Sequence, residues 1–403
     1  MVREGWKRYK VGELGTFAKG SGISREQSDT GRIPAVRYGE LYTTHNYYIR
    51  DFSSHVSSEI ASQALKIKYG NILFTCSGET KEEIGKCVAI VTDEEAYAGG
   101  DLIVLTPAIQ MNPLFLGYAL NVPSVVRQRA QLAQGDAIVH ISADSIKSIE
   151  FDAPDFPEQC YIAQALSDID ELIFNLEKLI KKKKNVREGA MQELLTGRKR
   201  LPGFNGKWIE TEINKCGIFV GGNGFPLKKQ GETIGKYPFY KVSDFSNQGN
   251  DRFLKKANNY ISQSVADELS CNIIPKQSIV FAKIGAAIFL ERKKMTTTPC
   301  CIDNNMLSFQ PYESVSPYFM WFIFQRIALG NLVEATALPS LNGKVIGDAL
   351  LQIPNERLEQ DAIGKVINDM DSEIEYLNSK LEKYRQIRSG MMNELLTGKI
   401  RLV

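Results

Sequence analysis

Met191-Gln192-Glu193-Leu194-Leu195-Thr196-Gly197-Arg198-Lys199-Arg200-Leu201 returns 201 residues further on as Met392-Asn393-Glu394-Leu395-Leu396-Thr397-Gly398-Lys399-Ile400-Arg401-Leu402. Extended backwards in that register without a gap, residues 156–201 pair with 357–402, and 18 of these 46 positions are identical. An internal repeat has to be settled first, because each copy is then one structural unit. The match continues beyond this segment. Trp6, Gly15, Phe17, Gly20 and Gly22 reappear as Trp208, Gly217, Phe219, Gly222 and Gly224, and Asn112-Pro113-Leu114-Phe115 corresponds to Ser316-Pro317-Tyr318-Phe319. Each half is a divergent globular stretch followed by a better-matched helical one. One shared mechanical task and two different recognition tasks would produce this contrast.

In the first helical stretch Ile162, Leu166, Ile169, Ile173, Leu176 and Ile180 step by four and three residues in alternation; Ile363, Ile367, Met370, Ile374, Leu377 and Leu381 repeat the pattern. A mean apolar period of 3.5 is the seam of a coiled coil, and two such helices in one chain pack most simply on each other. Pro154 and Pro157 precede the first helix and Pro354 the second. Gly197 and Gly398 close them, with Arg198, Lys199 and Arg200 placed to complement the C-terminal dipole. A helix over 158–195 would be about 57 Å long, more than one DNA turn of about 34–36 Å. Antiparallel pairing would put the globular parts at opposite ends about an approximate two-fold axis. The run Lys181-Lys182-Lys183-Lys184 reads as a solvated face, with a phosphate or partner contact as the alternative.

The globular stretches mix strand and helix signals. Asn71-Ile72-Leu73-Phe74-Thr75, Cys87-Val88-Ala89-Ile90-Val91, Leu102-Ile103-Val104-Leu105, Ser278-Ile279-Val280-Phe281 and Met306-Leu307-Ser308-Phe309 are strand-like, while 114–134 and 318–332 are helical. The expected class is α+β: two globular α/β domains related by pseudo-two-fold symmetry and joined by two long antiparallel helices forming a coiled coil. The expected boundaries are 1–155, 156–203, 204–354 and 355–403. Polar, basic and aromatic residues gather in the loops, which makes Lys19, Ser21, Arg25, Arg37, Tyr38, Tyr42, Ser77, Lys81 and Lys86 candidate DNA contacts in the first half. Asn223, Lys228, Lys229, Tyr240, Lys241 and Lys283 are the candidates in the second. Arg and Lys suit guanine edges and phosphates, Asn suits adenine, and glycine admits close backbone approach.

Composition narrows the alternatives. The chain is 43% hydrophobic and 24% charged, as a folded soluble protein is. No apolar run approaches the roughly 20 residues of a membrane span, and the N-terminus lacks the apolar core of a secretory signal, so a cytoplasmic location is expected. Seven cysteines without C-x-x-C spacing and three histidines suggest neither disulfides nor a zinc site. Adjacent Cys300 and Cys301 should point to opposite faces of a strand. The net charge of +2 divides as −3, +2, +4 and −1 over the four segments, so DNA binding would depend on local patches. Gly231-Glu232-Thr233-Ile234-Gly235-Lys236-Tyr237 is too short for a phosphate loop, and no methyltransferase tetrapeptide of the Asn/Asp-Pro-Pro-Tyr/Phe kind is present. Asp51 with Glu79 and Lys81 could form a nuclease trio but has no second copy, and His140 reads as a core or turn residue. No catalytic residue or metal ligand is assigned.

The order of Trp near the start, divergent domain, seam helix and Leu-Leu-Thr-Gly-[Arg/Lys]-x-Arg-Leu, all repeated, resembles the specificity subunits of type I restriction-modification systems; Leu194-Leu195-Thr196-Gly197-Arg198-Lys199-Arg200-Leu201-Pro202-Gly203-Phe204 is especially close to that family's pattern. The resemblance covers the whole chain. It implies a non-catalytic subunit whose two target recognition domains read the halves of a split, asymmetric site in double-stranded DNA. It also implies paired helices that act as a ruler and dock two methyltransferase subunits, with restriction/translocase subunits joining through them. S-adenosylmethionine, ATP and Mg would belong to those partners and not to this chain. The competing reading is a duplicated coiled-coil scaffold that binds protein alone.

Overall fold

The seam-patterned stretches are continuous helices, Phe156–Leu194 and Arg357–Leu395, each of 39 residues. In the computed structural model, which describes residues 4–333 and 339–402, eleven of the twelve seam side chains are less than 10% exposed and Met370 is half-buried. Pro157 lies inside the first turn of its helix rather than before it, where the missing N–H has no intrahelical partner to lose. Gly197 and Gly398 end the helices in the left-handed region at φ +69° and +63°, the conformation that a glycine cap supplies.

The chain divides into two compact units, one made of Met1–Glu177 with Ser379–Val403 and the other of Lys178–Asn378. The division cuts both long helices, so each unit holds the start of its own repeat's helix and the end of the other's. Within the first unit Arg401 meets Glu158 at 2.6 Å, Arg388 meets Asp170 at 2.9 Å and Arg385 meets Glu177 at 2.7 Å. Rising numbers on one helix meet falling numbers on the other, which defines an antiparallel pair. The second unit does the same with Arg200–Glu359 at 2.5 Å, Arg187–Asp371 at 2.8 Å and Lys183–Glu373 at 2.7 Å. At the repeat offset of 201, Arg187 and Asp170 correspond to Arg388 and Asp371, and Arg200 and Glu158 to Arg401 and Glu359. Two ion pairs are therefore built twice with their donors exchanged. Arg200 is consumed in this way instead of serving the dipole of its own helix.

The base of each domain is closed by the Leu-Leu-Thr-Gly segment. A Cβ on Gly398 would lie 2.9 Å from the Trp6 ring, and one on Gly197 would lie 3.0 Å from the Trp208 ring. Only glycine fits both the helix stop and the face of the indole. Gln159 and Gln360 clamp the junctions identically: Gln159 accepts from the Asn112 N–H and donates to the Pro154 carbonyl, and Gln360 does so with Ser316 and Pro354.

The two globular parts share a topology. In the first, a five-stranded sheet runs in the order Gly15–Lys19, Leu102–Pro107, Ile72–Thr75, Cys87–Ile90, Tyr48–Ile49, with only the last pair parallel. In the second the order is Gly217–Gly221, Met306–Pro311, Ile279–Ala282, Lys293–Thr296, Phe253–Leu254, again with only the last pair parallel. One face of the first sheet packs Ile72, Phe74 and Leu105 against Phe115, Leu116, Ile162 and Leu166; the other packs Leu73, Val88 and Val104 against a smaller sheet through Val36, Ile67 and Ala98. The period of two along each strand sorts the residues between these cores. The helical stretch 114–134 divides into Pro113–Ala119 and Pro123–Leu132, with a proline at the start of each helix. Its counterpart divides into Pro317–Arg326 and a short 3-10 turn, Leu329–Leu332. Cys300 and Cys301 enter different apolar clusters, on opposite faces as alternation requires, and all seven cysteines are free thiols. Among the described residues no helix is long and apolar enough to cross a membrane.

Asp170 also accepts a 2.6 Å hydrogen bond from the buried Tyr118 hydroxyl, so Arg388 completes a network rather than an isolated surface pair. Arg388→Met leaves Asp170 short of a partner and should lower the stability of the first unit by about 1–3 kcal/mol, measured by urea unfolding, with little change in the second. A chain ending at Phe204 lacks the helix that covers Ile162, Leu166 and Ile169. It should self-associate to cover that seam, and a stable monomer in light scattering would count against the pairing described.

Candidate nucleic-acid interface

In the first unit the strand Gly15–Lys19 ends against a close backbone approach: a Cβ on Gly20 would lie 2.1 Å from the Gly99 carbonyl oxygen. The chain then forms one wall of an open cleft of about 910 Å³, lined among others by Arg25, Arg37, Tyr38, Glu40, Thr44 and Asp101. Three candidate contacts thus come together. Arg25 is exposed and Tyr38 is 41% exposed. Arg37 is half-buried and donates from Nε to Glu40 at 3.0 Å, while Glu40, only 4% exposed, also accepts from the hydroxyls of Ser53 and Ser54. Arg37 is held in place by a carboxylate that is already satisfied. Below it, His45 Nε2 lies 3.9 Å from the same carboxylate. Burial pushes the His45 pKa down, against the upward pull of Glu40.

Lys19 stands exposed, and Ser21 donates its hydroxyl to the Gln63 carbonyl. The loop that follows Thr75 is anchored at both ends. The Tyr42 hydroxyl donates to the Ser77 carbonyl at 3.0 Å and lies 2.7 Å from Thr75 Oγ1, and burial raises its pKa. Ser77 is 8% exposed with its hydroxyl 3.0 Å from His140 Nδ1, so Tyr42 and Ser77 brace the loop. His140 itself is exposed and joins a β-bridge with Gln134, rather than sitting in the core. Lys81 lies 3.7 Å from Asp136, and the half-buried Lys86 reaches Asn46 at 3.5 Å, with burial lowering its pKa. At the far end Arg129, 2% exposed, donates to the Gly85 carbonyl at 2.5 Å and to Asn121 at 3.1 Å. Nothing in Val125-Val126-Arg127-Gln128-Arg129 separates this buried arginine from Arg127 except its place on the helix face.

In the second unit a Cβ on Gly222 would lie 1.9 Å from the Asp303 carbonyl oxygen. Asn223 spends its amide locally, donating to the Ser270 carbonyl and accepting from the Asn272 N–H. Lys228 is exposed, Lys229 pairs with Glu268 at 2.6 Å, and Lys241 donates to Gln230 at 3.0 Å. Lys283 Nζ lies 3.3 Å from where a Gly221 Cβ would be, so the glycine-rich turn and the Lys283 loop adjoin. Tyr240 does not belong to this surface. It is 2% exposed, packed with Phe245, Leu254 and Val280, and burial raises its pKa. Between the halves Ile33-Pro34-Ala35-Val36-Arg37 matches Tyr237-Pro238-Phe239-Tyr240-Lys241, so the counterpart of Tyr240 is Val36, an apolar side chain that signals a core position.

The family model described as the type I restriction modification DNA specificity domain matches residues 3–186 and 213–383. The chain belongs to this specificity family. A specificity-family relative from Methanocaldococcus jannaschii, the type I restriction enzyme MjaVIII specificity subunit, is 22% identical over 431 positions, covering 100% of this chain and 94% of the relative. The putative MjaX specificity subunit of the same organism is 24% identical, covering 92% and 87%. The solved S subunit of a type I restriction-modification system from M. genitalium superposes with a TM-score of 0.65 at 16% identity over 98% of this chain and 96% of that one. A chain from a structure of type I R-M complex assembly and conformational transition gives 0.53 at 11% identity, covering 99% and 100%. These likenesses support the α+β fold with two specificity domains and long packed helices.

Because the folded pKa of His45 is depressed, the unfolded chain binds its proton more readily below the ordinary value of 6.5. Stability of the first unit should therefore fall as pH drops below about 6.5, and His45→Gln should flatten that part of the profile in thermal unfolding.

Proposed function

We propose that the chain is the non-catalytic reader of a split DNA site, with one half-site recognised by each globular domain. The observation that carries this reading is a pair of domains with one topology and unlike loop surfaces. Their five-stranded sheets agree strand for strand, while the surface is Arg25, Arg37 and Tyr38 in one and Lys228, Lys241 and Lys283 in the other. Unlike loops on a common frame should read unlike sequences, so the site is asymmetric. Each helix of 39 residues would extend about 58 Å, enough to act as a spacer between half-sites roughly one helical turn apart.

Methyl transfer, translocation and cleavage would then fall to methyltransferase and restriction subunits, which would carry S-adenosylmethionine, ATP and Mg. The long helices offer surface for such partners: Tyr161 and Leu172 in the first unit and Val186, Leu358 and Tyr376 in the second are at least half exposed. Exposed apolar side chains along a helix are a feature that protein-contact surfaces use.

The direct test is selection of bound duplexes from a randomised library by the chain assembled with a methyltransferase subunit. Two dissimilar motifs about one helical turn apart are expected, and no enriched sequence from an intact complex would favour the protein-binding scaffold instead. Lys19→Ala and Arg25→Ala should each reduce the slope of log affinity against log salt by up to about one, whereas Tyr240→Phe should leave it unchanged.

A further inference from the structure

The second unit carries a feature at its Lys283 loop that the first lacks. The 3-10 turn Ala286–Leu290 presents Phe289 and Leu290 to solvent, 55% and 58% exposed, while Ile288 between them and the chain is buried at 1%. The turn is fixed on both sides. Before it, the Gly285 N–H donates to the Pro339 carbonyl, the Leu341 N–H donates to the Lys283 carbonyl, and Ile284 bridges Ser340. After it, Glu291 adopts a left-handed φ of 54° and its carboxylate accepts from the Leu329 and Gly330 N–H groups and from Lys293. Two large apolar side chains thus stand at the tip of a rigid support.

Cations flank this tip. Lys283, beside Gly221, precedes the turn in the chain and the exposed Arg292, which donates to the Ser246 hydroxyl, follows it, while the Glu291 carboxylate next to the turn is already paired with Lys293. An apolar point between positive charges is complementary to a nucleic-acid groove, where phosphates meet the cations and the bases meet the tip. Proteins that press such side chains against base steps gain stacking and sequence preference together. In the first unit the matching segment is Glu79-Thr80-Lys81-Glu82-Glu83-Ile84-Gly85; its one large apolar residue, Ile84, is fully buried.

Resting on the DNA-reading function proposed above, we infer that Phe289 and Leu290 form an apolar probe that lies against the bases of the half-site read by the second domain and sets its preference at one or two neighbouring positions. The matching segment of the first domain, residues 79–85, carries no exposed pair of this kind.

The test uses the chain assembled with methyltransferase subunits and the randomised duplex library. Phe289→Ala and Leu290→Ala should flatten the enrichment at one or two adjacent positions of one half-site and leave the other half intact. For the wild-type motif, Phe289→Ala should raise Kd by about 5- to 150-fold, the range of one lost base stack. Phe289→Trp should show fluorescence quenching by the selected duplex beyond that of the wild-type complex. An unchanged motif, or equal weakening of both halves, overturns the inference. So does loss of a methyltransferase subunit with sequence preference intact, which would make the tip a protein contact. If the wild-type complex selects no split motif, the DNA-reading function fails first and the probe falls with it.

Discussion

Antiparallel pairing of one helix's start with the other helix's end is the constraint on which the structure depends. Glu158 and Glu359 are almost wholly buried at the foot of their domains, where an ionised carboxylate is costly unless a cation meets it. The cation comes from the far end of the other repeat, Arg401 for one and Arg200 for the other. The same exchange recurs at Asp170 with Arg388 and Asp371 with Arg187. Neither repeat can satisfy its own acids, so the fold requires two. The Leu-Leu-Thr-Gly segments then bring Leu195 and Leu396 into the cores they cap and place a glycine against an indole.

Above that shared foot, the globular parts keep their frame and change their edges. The close approaches at Gly20 and Gly222 hold the same strand end in both. The loop after the third strand of each large sheet is tied down at its far end in both, but by opposite chemistry. In the first unit the buried Arg129 donates to a loop carbonyl; in the second, Glu291 within the loop accepts from backbone N–H groups. A surface that is pinned at fixed points and free in between can diverge without loosening. Recognition by preorganised loops asks for this combination.

Much of the frame was legible from the repeat and the heptad pattern. Period 3.5 marked both helices, glycine marked their ends, and alternation placed Cys300 and Cys301 on opposite faces. The compact units were not legible, because each brings together segments distant in sequence, and which segments pack together depends on three-dimensional register. The loop surface was legible only as a composition. Tyr240 looked like a contact because tyrosine suits both core and interface, and only its match to Val36 told against it. Tyr42 and Ser77 stand among the candidate contacts because hydroxyls give no sign in sequence of the hydrogen bonds they make. Arg129 was invisible for the converse reason: a buried arginine is rare and has no pattern of its own.

The partition of the chain also orders its folding in time. The second unit is continuous, Lys178–Asn378, whereas the first joins Met1–Glu177 to Ser379–Val403. During synthesis from the N-terminus, the domain made first lacks its base until Ser379–Val403 has also emerged from the ribosome, and its closure spans the whole of the intervening Lys178–Asn378. The domain made second has everything it needs some two dozen residues earlier. A nonsense codon or frameshift falling just after Asn378 would therefore damage the product at the domain made first and spare the nearer one.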